Sequence, residues 1–179
     1  MYKINILFED REFEHDIYEL IKAFYPEGEI HSLYEKQEEC GDLFFRVEKK
    51  DGSFLIHYKN QEHTGVISAD IIKGQNRGKE PDALVSCDQE LRKENKDVLK
   101  YALYQLLVKL TGKTLPWGNL TGIRPVKLAM AMIEAGMKNT EVAEEMRKRY
   151  LVSPRKTALA VTIANREREL LKKLDYEKG

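Results

Sequence analysis

The residues best placed to do chemistry lie in the segment WGNLTGIRPVK, Trp117 to Lys127. Arg124 stands immediately before Pro125, a residue suited to the first turn of a helix because its missing amide donor costs nothing there. A helix beginning at Pro125 would add a positive dipole end and free backbone amides to the Arg124 guanidinium, and Thr121 would add a hydroxyl. With Lys127 nearby, these groups could hold a phosphate or a carboxylate. The alternative is that Arg124 pairs with a local carboxylate or carbonyl and fixes the loop. No GxxxxGKS or GxxxxGKT run accompanies it, so a nucleotide phosphate loop is not expected. The segment also holds the one tryptophan of the chain, and Gly118, Leu120, Gly122 and Ile123 make it apolar and glycine-containing, unlike a short polar connector. Trp117, Gly118, Leu120, Gly122, Ile123 and Pro125 therefore read as a packed or docking loop.

Other chemical patterns are thin. His15, His31, His57 and His63 lack the i, i+4 spacing that sets two imidazoles on one helical face, so no metal site is expected. No GxSxG elbow occurs, and Cys40 and Cys87 show no CxxC or CxxxCxxC spacing. Neither a zinc knuckle nor a cysteine-ligated cluster can be built from two cysteines, and nothing assembles a complete active site.

The elements that would carry these residues follow from periodicity. Tyr2–Phe8 alternates as a strand, Glu12–Tyr25 places Phe13, Ile17, Leu20, Ile21 and Phe24 on one helical face, and Glu29–Tyr34 is a weaker strand. Asp42–Lys50 and Ser53–Lys59 flank Asp51-Gly52, the pair that tolerates the positive φ angles of a type I′ hairpin turn. Thr64–Ile72 is a further strand, followed by a polar loop or linker, KGQNRGKEPD. From Ser86 the pattern is helical: Ser86 with Gln89 fits a capping box, and Leu99, Leu103, Leu106 and Leu110 line a helix ending near Gly112. A helix from Pro125 to about Gly136, a short one over 140–150 and a long one after Ser153-Pro154, with Ala160, Ile163, Leu170 and Leu174 as its stripe, complete the chain. Met130, Met132 and Met137 read as core packing.

The 179 residues carry no net charge, yet residues 1–87 hold 11 Lys+Arg against 18 Asp+Glu, and residues 88–179 hold 19 against 12. The halves are thus −7 and +7. That suggests an acidic α+β unit over 1–85 and a basic helical unit over 86–179, which either attract one another or give the second unit an affinity for anionic partners. Asn139–Val161 has the outline of a basic helix-turn-helix. Its RKRYLVSP junction is longer than the usual turn, and Thr157, Ala158 and Leu159 are poorly suited to reading base edges, so a stand-alone nucleic-acid-binding module is the lesser alternative. The apolar run LAMAMI is far short of the ~20 residues of a membrane span, and the start lacks a signal-peptide pattern. A cytoplasmic protein is expected, of α+β class with a small, mostly antiparallel sheet and packed helices followed by a helical unit.

WGNLTGIRPVKLAM, followed by YLVSPRKTALAVTIANRERELL and the ending LDYEKG, resembles the N-terminal region of the oxygen-independent coproporphyrinogen III oxidase-like radical SAM proteins of Firmicutes, also called coproporphyrinogen dehydrogenases. In that family a barrel strand and a CxxxCxxC motif come next, and the cysteines hold the 4Fe-4S cluster that cleaves S-adenosylmethionine. The chain stops before that motif. The resemblance therefore implies a segment that is not catalytic alone, with the cluster and S-adenosylmethionine belonging to a catalytic domain in cis. It further implies a parent acting in haem synthesis by oxidative decarboxylation of the propionates of coproporphyrinogen III. Relatives with the same core include haem chaperones, so an accessory domain of such a protein is the alternative. No catalytic residue of the family maps onto this chain.

Overall fold

The computed structural model describes residues 2–35, 41–71 and 81–176. The chain forms two compact units, Met1–Lys113 and Thr114–Gly179.

In the first unit, β1 (Lys3–Phe8), α1 (Glu14–Phe24) and β2 (Glu29–Leu33) form a β-α-β crossover, and β3 (Leu43–Lys50), β4 (Ser53–Asn60) and β5 (Thr64–Asp70) form a meander. The strand order is β2-β1-β3-β4-β5. β1 runs parallel to β2 and to β3, while β3-β4 and β4-β5 are antiparallel. The β3-β4 turn is made by Asp51 and Gly52, at φ 51° and 81°, the left-handed pair that a two-residue hairpin of this hand requires. Register sets Ile4 beside Leu43 and Ile6 beside Phe45, then Val47 opposite Ile56 and Phe54 opposite Ala69, so one face of the sheet is a continuous apolar layer.

That layer is covered by α1 and by α2 (Pro81–Thr111). The α1 stripe Ile17, Leu20, Ile21 and Phe24 is buried, as are Leu99, Leu103, Leu106 and Leu107 of α2. Each such side chain contributes about 2 kcal/mol by leaving water. Ring contacts tie the layers: Phe13 meets Phe54 edge-on at 5.6 Å, and Phe24 meets Tyr104 at 5.3 Å. Pro81 opens α2 at a position where it sacrifices no hydrogen bond, so Ser86 lies within the helix and is not its N-cap. The change of pattern near residue 86 thus falls inside α2, a helix of the first unit. The polar stretch 73–80 and Cys40 lie outside the described residues. Gly112, at φ 67°, stops α2.

The second unit holds α3 (Pro125–Glu134), α4 (Asn139–Lys148) and α5 (Pro154–Tyr176). Pro125 starts α3, and Gly136, at φ 91°, follows its end. The core joins Leu120, Ala129, Met130, Ile133, Val142, Met146, Tyr150, Val152, Ala160, Val161 and Ala164, with Trp117, Met132 and Met137 packed against it. The inward face of α5 is therefore Thr157, Ala160, Val161 and Ala164. It is not the stripe expected through Leu170, which is 59% exposed. Small residues win there because they let α5 and α3 approach closely, Ala129 being buried on the facing helix. The class is α+β, as the periodicity implies.

Candidate functional site

The Trp117–Lys127 segment divides into a fastened half and a presented half. Gly118, Asn119 and Leu120 are buried, Trp117 and Thr121 are half-buried, and Gly122, Ile123 and Arg124 are exposed. Two backbone bonds stitch the first half to the α4-α5 connection: Asn119 N–H donates to Tyr150 O at 3.0 Å, and Ser153 N–H donates to Pro116 O at 3.0 Å. Gly118 makes the close approach possible. It sits at φ 59°, and a Cβ there would overlap Tyr150 O and lie 2.6 Å from Leu151 O. The Lys156 ammonium stands 5.2 Å from the centre of the Trp117 ring. The WGNLTGIRP and YLVSPRK segments, far apart in the chain, are therefore hydrogen-bonded neighbours.

Arg124 is the N-cap of α3, with extended φ and ψ of −80° and 114°, and it makes no side-chain cap. Its carbonyl accepts from Lys127 N–H at 3.0 Å, so the two residues share the first turn of the helix and both side chains are exposed. Pro125 occupies the first helical turn, half-buried. Among the described residues, Arg124 and Lys127 have no ion-pair partner, whereas at the end of α4 Lys148 pairs with Glu144 at 3.3 Å and the C-cap Arg149 with Glu145 at 3.4 Å.

Two further polar constellations lie in the first unit. Across the β3-β4 ladder Arg46 faces His57, and the diagonal neighbour Glu48 comes within 2.9 Å of His57 Nε2. That short contact places the proton on Nε2, donated to the carboxylate, so the 3.4 Å approach of Arg46 Nη2 to the same nitrogen is a contact rather than a second strong bond. Arg46 also approaches Glu48 at 3.5 Å, and its Nε lies 3.8 Å from Glu9, too far for a hydrogen bond. The hydrogen bond from His57, helped by the Arg46 and His57 charges, holds the Glu48 carboxyl below its ordinary value against the opposing effect of burial. The Asp-Gly turn fixes this register, and reading the hairpin's outward positions would have found the group. The second constellation sits between α1 and α2, where Asp16 lies 3.6 Å from Lys96 and 3.8 Å from the buried Lys100. The acidic start of the chain and the basic stretch after residue 88 thus meet inside one unit.

Among the described residues no group of three or more His, Cys, Asp or Glu is placed to hold a metal, and no helix is long and apolar enough to cross a membrane. The arrangement offers a rigidly held loop with an exposed apolar-basic tip, and surface ion clusters, on an α+β scaffold.

Among curated proteins, the chain is 36% identical over 80 residues to the oxygen-independent coproporphyrinogen-III oxidase-like protein HemZ of Bacillus subtilis (strain 168). The matched stretch spans 45% of this chain and 16% of that protein. Over that stretch the chain is similar to a coproporphyrinogen-III oxidase-like protein, in agreement with the resemblance carried by its own motifs. No family model matches the chain, and no solved structure does.

Proposed function

We propose that this chain is an accessory part of an oxygen-independent coproporphyrinogen-III oxidase-like protein and that its second unit docks on the catalytic part of that protein. The division of the 117–127 loop carries the proposal. Residues 117–120 are fixed to the α4-α5 connection by backbone bonds and by Gly118, so the tip at Gly122, Ile123 and Arg124 is presented at little further entropic cost. Ile123 is 50% exposed directly before the Arg124 guanidinium, an apolar-cationic pair of the kind that anchors protein interfaces. Leu159 and Leu170, on α5 of the same unit, are further exposed apolar side chains.

The 4Fe-4S cluster and S-adenosylmethionine implied by the family belong to the catalytic part in this proposal. The chain has two cysteines, one short of the three thiolates of a CxxxCxxC set, so its own residues do not fit the cluster. The expected parent reaction is decarboxylation of coproporphyrinogen III propionates in the cytoplasm, with a haem-chaperone relative as the alternative parent.

Mixing the chain with a separately prepared catalytic part bearing CxxxCxxC should give a complex whose formation changes Trp117 fluorescence, and Ile123→Ser with Arg124→Ala should weaken it by about tenfold or more. No association at ~100 μM would defeat the docking role. A second role for Arg124 and Lys127, supported by their shared and exposed first turn, is contact with a tetrapyrrole propionate. Titrating a stable coproporphyrin into wild type and Arg124→Ala tests it, equal affinities removing Arg124 from any such contact.

A further inference from the structure

The cleft between α1 and α2 has a volume of about 520 Å³ and is lined by Phe13, Asp16, Gln89, Arg92, Lys93 and Lys96. Arg92, Lys96 and Lys100 recur at four-residue intervals, so they form one row along α2, with Lys93 beside it. Two carboxylates of the α1 side, Glu12 and Asp16, meet this row. Glu12 is divided between Lys49 at 3.3 Å and Arg92 at 3.6 Å, and one oxygen of Asp16 is divided between Lys96 and Lys100 at 3.6 and 3.8 Å. All four exceed the length of a good charged hydrogen bond, and the further contact of Arg92 Nη2 with the Glu12 carbonyl is also long at 3.4 Å, so the Arg92 and Lys96 donors retain capacity. Lys93 has no ion-pair partner among the described residues.

We propose that this cleft is a binding site for a small multivalent oxyanion, a di- or tricarboxylate or a phosphate compound, held by Arg92, Lys93 and Lys96. Its size suits a small ligand. Gln89 supplies a neutral donor and acceptor at the rim, and Phe13 supplies an apolar wall for a carbon skeleton. Arg92 stands 5.8 Å from the Phe13 ring centre, which holds its guanidinium at the wall of the cleft while leaving planar donors for a bidentate contact. At the end of the row, Lys100 is only 6% exposed. Burial pushes its ammonium below the ordinary lysine value, with Asp16 and Asp97 opposing the shift and Lys96 reinforcing it. An incoming oxyanion would relieve the repulsion between Lys96 and Lys100 that Asp16 and Asp97 oppose. A nucleic acid would need a longer cationic track than this short row supplies.

The site is independent of the docking proposal and involves different residues. Calorimetric titration of the whole chain at low ionic strength with citrate and, separately, with pyrophosphate distinguishes carboxylate from phosphate preference. Saturable binding of at least one, at about millimolar strength or better, is expected. Arg92→Ala and Lys93→Ala should each weaken it by about tenfold, the loss of one charged hydrogen bond, while Lys109→Ala, an exposed change elsewhere on α2, should leave it unchanged. Circular dichroism of each variant separates a lost site from a lost fold, and the Arg92→Lys change should retain part of the affinity. Absence of saturable binding by either anion up to ~10 mM, or equal losses in Lys109→Ala and Lys93→Ala, would overturn the assignment.

Discussion

Gly118 lies against Tyr150 so closely that the carbonyl oxygen of Tyr150 occupies the place a β-carbon on Gly118 would need. The same carbonyl accepts the N–H of Asn119, so the contact is both a steric and a hydrogen-bonded joint. Gly122, four positions on, has a similar left-handed φ of 73° but nothing within 4 Å of where a β-carbon would stand.

That contrast predicts very different costs for one chemical change. Gly122→Ala should lose about 1–2 kcal/mol, the backbone penalty alone. Gly118→Ala must also separate two backbone segments and should lose more than about 4 kcal/mol. Urea unfolding followed by Trp117 fluorescence measures both, and similar losses would refute the joint.

Glu48 gives the first unit a sensitivity to acid. Its carboxyl is held low in the folded protein by the hydrogen bond from His57, so its contribution is present above the unfolded carboxylate pKa of about 4.3 and fades as pH falls through the lower folded value. Glu48→Gln should therefore be less stable than wild type at neutral pH and show a shallower decline below about pH 4. Denaturation midpoints at a series of pH values test this. Parallel acid limbs in the two proteins would sink it.

The Asp16 and Lys100 pair should behave asymmetrically. Removing the carboxylate by Asp16→Ala leaves a buried ammonium poorly compensated and should cost about 3 kcal/mol, whereas Lys100→Met keeps the packing, leaves Asp16 to Lys96 and should cost less than about 1 kcal/mol. Equilibrium unfolding of the two variants and of the double mutant would decide, and comparable single losses would contradict the account.

Thr157 Oγ and Asn119 Nδ2 are buried, each residue 2% exposed, without a hydrogen-bond partner among the described residues. Thr157→Val keeps the shape and removes the unsatisfied hydroxyl, so a gain of about 1 kcal/mol is expected. A lower melting temperature for the variant would show that the hydroxyl is satisfied after all.

Much of the first unit was legible because local chemistry decided it. Asp51-Gly52 dictated the hairpin and its register, and the apolar face of α1 appeared residue by residue in the period of the helix. The start of α2 was less so: Pro81 follows a strongly polar stretch, and turn-forming composition masked a helix that begins before Ser86. The inward face of α5 is not marked by its apolar periodicity, because burial there follows smallness rather than hydrophobicity, Ala160 and Ala164 being buried while Leu170 is exposed. The composition of Trp117–Lys127 marked it as unusual, yet no periodicity links residues 116–119 to residues 150–153. Their pairing depends on three-dimensional closure, and with it the division between fastened and presented halves.

β1 is hydrogen-bonded on both sides, to β2 and to β3, although it begins at Lys3. On a ribosome its apolar residues Ile4, Ile6 and Phe8 emerge before either neighbouring strand exists. They must wait for residues 29–33 and then 43–47 to be synthesised, so the sheet closes around its earliest-made strand instead of growing outward from it. Circular permutation that opens the chain at the Asp51-Gly52 turn would make β4 and β5 first and β1 later, changing the order of assembly while leaving the pairing intact.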